Sequence, residues 1–226
     1  MITLADVNRL YRSEEVETTA LREIELTVDK GEFVAVMGPS GSGKSTLLNI
    51  LGLIDQPTSG RHIFLGQEVS DMSEAERAKV RRSHLGFIFQ SFNLIDELTV
   101  EENIELGLVY RSGRSSGRKA RVKEVMDRVS IGHRARHYPH QLSGGQQQRA
   151  AIARAIVGQP ELLLADEPTG NLDTANGAQV MEILKGLNAE GATIVMVTHS
   201  PSQADQAKRV VNMLDGRIVA SARRSV

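Results

Sequence analysis

The sequence contains no cysteine among its 226 residues. That excludes a disulfide framework and a thiolate metal site, and it fits a reducing compartment. A chain of this length buries a substantial core without such staples. Charge of one sign is missing too: 27 lysines and arginines face 28 aspartates and glutamates, a net charge of -1. Dedicated nucleic-acid binders show a basic excess or a clustered basic face, so no nucleic-acid partner is expected. No stretch approaches the ~18–20 consecutive apolar residues of a membrane-spanning helix. The longest apolar clusters, such as ATIVMVT at 192–198, have the length of a strand. The opening MITLADVNRLYRSEEVE is charged early and lacks an apolar run with a cleavage site, unlike a signal peptide. Internal repeats and low-complexity linkers are absent. A soluble chain is expected, with any membrane role exercised through a partner.

What is present is alternation. Short β-rich runs alternate with helical patterns, which points to an α/β domain with a largely parallel sheet. Residues 2–12 and 20–28 read as strands, and Gly31 marks the turn into a third, EFVAVM. KSTLLNILGL at 44–53 reads as a helix and LGFIFQ at 85–90 as a strand. Thr99, Val100, Glu101 and Glu102 form a capping box that opens a helix toward Tyr110. Beyond the loop at 112–117, Val122, Val125, Met126 and Val129 recur at helical spacing. A third helix runs from Gly144 to about Val157. ELLLAD (161–166) and ATIVMVT are strands separated by a helix through Val180, Ile183, Leu184 and Leu187. RVVNMLDGRIVAS reads as a hairpin turning at Asp215-Gly216. The expectation is one domain over 1–226, in which a core of 1–90 and 151–226 is interrupted by a helical segment at 91–150.

Gly38, Pro39, Ser40, Gly41, Ser42, Gly43, Lys44 and Ser45 match G-x-x-x-x-G-K-[ST] between a strand and a helix, and Thr46 follows in the same turn. Glycines let backbone N–H groups converge on phosphate oxygens, and the helix N-terminus adds unpaired donors and a favourable dipole. Lys44 supplies a point charge for the β- and γ-phosphates, and the Ser45 hydroxyl is a Mg²⁺ ligand candidate. This pattern implies ATP or another nucleotide with Mg²⁺. The run Leu162–Ala165 ends in Asp166 and Glu167. A continuous apolar run suits a parallel strand buried on both faces, whose C-terminal edge is where ligands sit. Asp166 is placed to hold Mg²⁺ through water and Glu167 to polarise a water for attack on the γ-phosphate.

In Leu142-Ser143-Gly144-Gly145-Gln146-Gln147-Gln148-Arg149, Ser143 and Gln146 form a capping box. Gly144 and Gly145 each cost a helix about 1 kcal/mol against alanine. An ordinary cap does not need them, whereas close approach of a phosphate to the backbone would.

LSGGQ lying between a phosphate loop and an LLLADEP strand resembles the signature of ABC-type ATPases, over essentially the whole chain. The resemblance implies a P-loop NTPase with a RecA-like core, an antiparallel β layer and an inserted helical subdomain. It also implies a head-to-tail dimer of the chain with itself, burying two ATP molecules. Ser143, Gly144, Gly145 and Gln146 would then act on the nucleotide held by the partner's phosphate loop. By the same likeness Tyr11 matches an aromatic that stacks on adenine, although a strand aromatic packed in the core has the same pattern. Gln90 matches a glutamine linking the Mg²⁺ and γ-phosphate site to the helical subdomain. Asp173 matches a loop reaching across the dimer, and His199 a histidine at the γ-phosphate.

GEFVAVMGPSGSGKSTLLNILG, GFIFQSFNL, LSGGQQQR and ADEPTGNLD are most similar to the macrolide-exporter and lipoprotein-release (MacB/LolD-like) ATPases. That implies a MacB/LolC/LolE-like permease partner and a peripheral place on the cytoplasmic face of the inner membrane. Export, lipoprotein release and mechanical signalling would all use this sequence. An FtsE-like cell-division ATPase is the alternative; it shares ADEPTGNLD but is less similar around the phosphate loop. Phe92, Leu94 and Ile95 are candidates for a permease-docking groove, or equally for buried core. Arg111, Arg114, Arg118, Lys119, Arg121 and Lys123 form either a headgroup-facing cluster or a solvated face. Chromosome-maintenance ATPases share the catalytic motifs but separate them with long coiled coils or zinc modules. Translation factors of the ABC type carry two cassettes. This chain shows neither feature.

Overall fold

A computed structural model describes residues 1–12, 17–109 and 117–223. Two sheets account for the strands. Strands β1 (Ile2–Arg12), β2 (Glu17–Val28), β4 (Ser59–Phe64) and β5 (Gln67–Glu68) form an antiparallel layer ordered β2-β1-β4-β5. The second sheet takes β3 (Phe33–Met37), β6 (Leu85–Ile88), β7 (Leu162–Asp166), β8 (Thr193–Val197), β9 (Arg209–Leu214) and β10 (Arg217–Arg223). Its order is β10-β9-β3-β8-β7-β6, parallel throughout except for the terminal hairpin β9–β10. The helices are α1 (Lys44–Leu51), α2 (Glu74–His84), α3 (Val100–Val109), α4 (Arg118–Arg128), α5 (Gly144–Ile156), α6 (Thr174–Ala189) and α7 (Pro201–Ala204).

Strand periodicity divides the core in two. Successive residues of a strand point to opposite faces. Phe33 and Ala35 therefore join a cluster with Ile104, Ile152 and Leu184 from the helices. Val34 and Val36 join Leu4, Leu21 and Ile50 under the antiparallel layer. Both faces are covered, which is why β3, β7 and β8 read as unbroken apolar runs. The loops at the C-terminal ends of β3, β6, β7 and β8 thus emerge side by side along one edge.

The hairpin turns as expected, with Asp215 at φ 47° and Gly216 at φ 78°, the two left-handed residues such a turn needs. The capping box at Thr99 also forms: the Thr99 N–H donates to Glu102 Oε2 at 2.8 Å, and the Glu102 N–H donates to Thr99 Oγ1 at 3.3 Å. Strands β4 and β5 and helix α2 lie where periodicity gives no sign of them. Helix α2 buries only Arg77, so it has no apolar stripe to read. Its marks are a capping box at Ser73 and Glu76, with acids in its first turn and bases in its last. Tyr110, Arg111 and Arg114 lie outside the described residues.

Candidate functional site

The phosphate loop leaves β3 at Gly38 and enters α1 at Lys44. Its glycines are required by two close approaches. A Cβ on Gly38 would lie 2.3 Å from the Met213 carbonyl, and one on Gly43, at φ 97°, would lie 2.5 Å from the Ala20 carbonyl. Gly43 caps α1 with no side-chain hydrogen bond, so the N–H groups of the first turn remain available to an anion. Lys44 is buried and its ammonium donates to the Gly38 and Pro39 carbonyls at 2.9 and 2.8 Å. Pro39, Ser40, Gly41, Ser45 and Thr46 share with it the wall of a cavity of about 780 Å³, closed on the other sides by Thr18–Ala20, Asn212, Glu167 and His199.

Glu167 follows the last residue of β7 with φ 45°, an unusual backbone for a non-glycine residue, held by its N–H donating to the Val197 carbonyl at 2.9 Å. Its Oε2 lies 2.9 Å from His199 Nδ1. A carboxylate and an imidazole are thus brought together on the cavity wall from two neighbouring strand ends. Burial pushes the Asp166 carboxyl above its ordinary range, and Glu167 adds to this while Lys44 opposes it. Asp166 makes no side-chain hydrogen bond to a described residue. Among the described residues no cluster of three or more histidines and acids would hold a metal unaided. A few oxygen donors, Ser45 and Asp166, suit Mg²⁺, which completes its shell with water and phosphate oxygens.

Gln90 is placed differently from expectation. Its amide donates to Asn171 Oδ1 at 3.1 Å, and Asn171 Nδ2 returns a bond to the Gln90 carbonyl at 3.1 Å. The side chain lies over Gly170, where a Cβ would meet its Nε2 at 2.7 Å. It is not on the cavity wall. Nor is Tyr11: it is 40% exposed, its hydroxyl donates to Asp55 at 2.7 Å, and the Arg9 guanidinium sits 4.4 Å above its ring.

Ser143 caps α5 in the expected box with Gln146, at 3.3 and 3.0 Å. The two following glycines have different reasons. A Cβ on Gly145 would collide with Asn176 Oδ1 at 2.1 Å, so its bareness is explained by packing within the chain. Gly144 would meet nothing nearer than Leu172 Cδ2 at 3.4 Å. Only Gly144 retains the argument for close approach from outside. Asp173 caps α6 through the Asn176 N–H at 2.8 Å and holds Asn176 Nδ2 at 2.7 Å. The loop carrying Asp173 and the helix carrying Ser143 are therefore fitted together through Asn176.

Gln148 carries a role that spacing did not reveal. It is fully buried, and its amide donates to the Pro168 carbonyl at 2.6 Å and the Phe89 carbonyl at 3.3 Å. One side chain from α5 thereby ties the loops that carry Gln90 and Glu167. The sequence signal is that Gly144, Gly145, Ala151 and Ile152, three and four residues to either side, put Gln148 on the apolar face of α5, where a buried amide needs partners.

A family profile described as ABC transporter matches residues 21–170. The chain is 52% identical over 219 residues to an uncharacterized ABC transporter ATP-binding protein of Methanocaldococcus jannaschii, covering 97% of this chain and 98% of that one. It is 50% identical over 223 residues to a macrolide export ATP-binding/permease protein MacB 1/2 of Paracoccus denitrificans, an alignment that takes in 99% of this chain and 33% of the longer relative. Among solved structures, an ATP-binding cassette in a dimeric post-hydrolysis state bound to ADP and Pi superposes with a TM-score of 0.92 at 42% identity, over the full length of both chains.

Proposed function

This chain belongs to the ABC transporter family as an ATP-hydrolysing, ATP-binding subunit, and we propose that two copies close head to tail on ATP to drive a MacB-like permease. The observation that carries the reading is the Glu167–His199 pair, 2.9 Å apart on the wall of the cavity that the phosphate loop builds. The N–H groups of Gly41 to Thr46 and the Lys44 ammonium bind the phosphates. Ser45 and Asp166 would hold Mg²⁺, with Gln90 the further candidate ligand, and the ion would supply positive charge to offset that of the phosphates. Glu167 takes a proton from water as its oxygen attacks the γ-phosphorus and the bond to ADP breaks. His199 Nδ1 orients that carboxylate.

Ser143 is exposed and stands outside its own chain's cavity, which suits action on the partner's nucleotide. Gly144 and Gly145 lie beside it at the start of α5, and Gln146 holds the Ser143 backbone in the capping box. Among the described residues no helix is long and apolar enough to cross a membrane. The likeness to MacB ATP-binding/permease proteins supports a permease partner, with this chain at the cytoplasmic face of the membrane. The docking surface is the apolar groove lined by Leu85, Phe87, Phe89 and Leu106. Phe92, Leu94 and Ile95 do not line it; Leu94 instead packs on the helical core.

Glu167→Gln tests this directly. It should leave ATP binding intact, slow hydrolysis by about 10²–10⁴-fold, the usual contribution of a positioned base, and accumulate an ATP-bound dimer in light scattering. Unchanged turnover would remove Glu167 from its role as base. A monomer persisting with ATP would remove the head-to-tail reading.

A further inference from the structure

The seam between α5 and α6 changes character along its length. At its start Gly145 lets α5 lie against Asn176, where a Cβ would come within 2.1 Å of Oδ1. One turn further along each helix the contact is made by two long side chains, with Arg149 Nη1 donating to Gln179 Oε1 at 2.8 Å. Around that bridge the two helices and the end of α4 leave a cavity of about 420 Å³. Val129, Ala178 and Ile183 give it an apolar lining, and Arg128, Arg149 and Ser130 give it donors.

The balance of charge decides what such a cavity can hold. Glu182, also on its wall, is paired with Lys185 at 2.7 Å, and Arg128 is paired with Glu190. Arg149 is unbalanced. No carboxylate of a described residue lies within ion-pair distance of it, and its Nε is shut from water without a partner. Gln179 satisfies one of its donors but does not cancel its charge. Ser130, at φ 56°, adds a hydroxyl that bonds to no described residue. One surplus positive charge beside an apolar lining suits a small monoanion with an apolar body. A guanidinium matches a carboxylate in plane and charge. A phosphate monoester carries close to two negative charges and would leave one of them without a counter-ion.

We propose that this cavity binds an organic carboxylate with a short apolar chain, its headgroup held by Arg149. The position gives such a ligand an effect, which rests on the head-to-tail reading as the binding does not. Helix α5 opens at Ser143 and carries Gln148, and α6 opens at the Asp173 cap. A ligand wedged between the two helices fixes their spacing, and so acts on closure around ATP and leaves the phosphate loop alone.

Octanoate is the probe, titrated against the whole chain without nucleotide. Binding is followed by the Arg149 Nε–H resonance in protein carrying isotope-labelled arginine, assigned by its absence from Arg149→Lys. Octanoate should shift that resonance to saturation, whereas octylammonium and octanol should leave it in place. Inorganic phosphate should bind about tenfold more weakly or worse. Ala178→Trp, at an exposed position on the wall, should fill the space and weaken octanoate about tenfold or more, with Arg149 still present and kcat near the parent value. Saturating octanoate should change kcat and spare KM for ATP. No saturation, an equal response to octanol, or an octanoate affinity that Ala178→Trp leaves untouched would overturn the site. Saturation with kcat unmoved would overturn the wedge and leave the binding standing.

Discussion

The wall of the nucleotide cavity is built in two ways on its two sides. On the side of the antiparallel layer, the phosphate loop is a contiguous run whose place is set by backbone wedged against backbone, at Met213 and Ala20. On the helical side, Glu167 is held by its N–H on the Val197 carbonyl. The neighbouring loops, including the one that bears Gln90 off that wall, are joined by side-chain amides reaching 20 to 81 positions along the chain, from Gln148 and Asn171. Backbone wedging of that kind yields only by breaking the core. A few amide bonds, each worth roughly 0.5–1.5 kcal/mol net, can exchange partners. The phosphate loop is therefore the more firmly fixed side, and the loops around Gln90 are joined to α5 by bonds that can exchange partners.

The largest effect that separates the two sides is on stability in acid. His62, on β4 and 1% exposed, has a buried Nε2 with no partner, and burial holds its pKa down at about 4 against the ordinary 6.5. Between these values the unfolded chain binds a proton that the folded chain refuses, so stability is lost as pH falls through that window. The full loss is about 3 kcal/mol at 1.36 kcal/mol per pKa unit. Urea midpoints measured at pH 7 and pH 4.5 should fall steeply for the parent and less for His62→Leu. Identical acid limbs would mean that the antiparallel layer is not the acid-sensitive part.

Next in size is Gln148→Met, which keeps the bulk but removes both donors. We expect kcat to fall about tenfold or more through misplacement of Gln90 and Glu167. KM for ATP should stay near the parent value, because the phosphate loop is anchored elsewhere. A rise in KM with kcat unchanged would erase the distinction between the two sides.

The same division explains what the sequence made legible. The phosphate loop, the Asp166-Glu167 strand end and the Ser143 cap are local patterns, and they stand in the structure where those patterns put them. The parallel strands were readable because burial on both faces leaves an unbroken apolar run. Helix α2 was not, since it is held by caps and charges and shows no apolar stripe. The groove beside Phe87 and Phe89 was not legible, because its walls come from elements far apart in the chain, and Phe92, Leu94 and Ile95, read as groove or core alike, do not line it. The partners of Gln90 and Gln148 are likewise long-range, and no local spacing encodes them.

The smallest effect tests the one motif in which both kinds of construction meet. Gly145→Ala must push Asn176 aside and release its bond to Asp173, at a cost of about 1–3 kcal/mol partly offset by the better helix propensity of alanine. Gly144→Ala has room and should leave the thermal midpoint unchanged or slightly higher. If Gly144 alone faces the partner's phosphate, its alanine variant should instead weaken ATP-driven dimerisation. The cycle with Asn176→Ala decides between packing and ligand approach for Gly145. Removing Asn176 opens the space a Cβ needs, so Gly145→Ala should cost little in that background. If Gly145→Ala still impairs dimerisation in the double variant, both glycines serve the nucleotide. If stability and dimerisation return together, Gly145 serves the fit of α5 against α6, and Gly144 is the glycine that the bound phosphate requires.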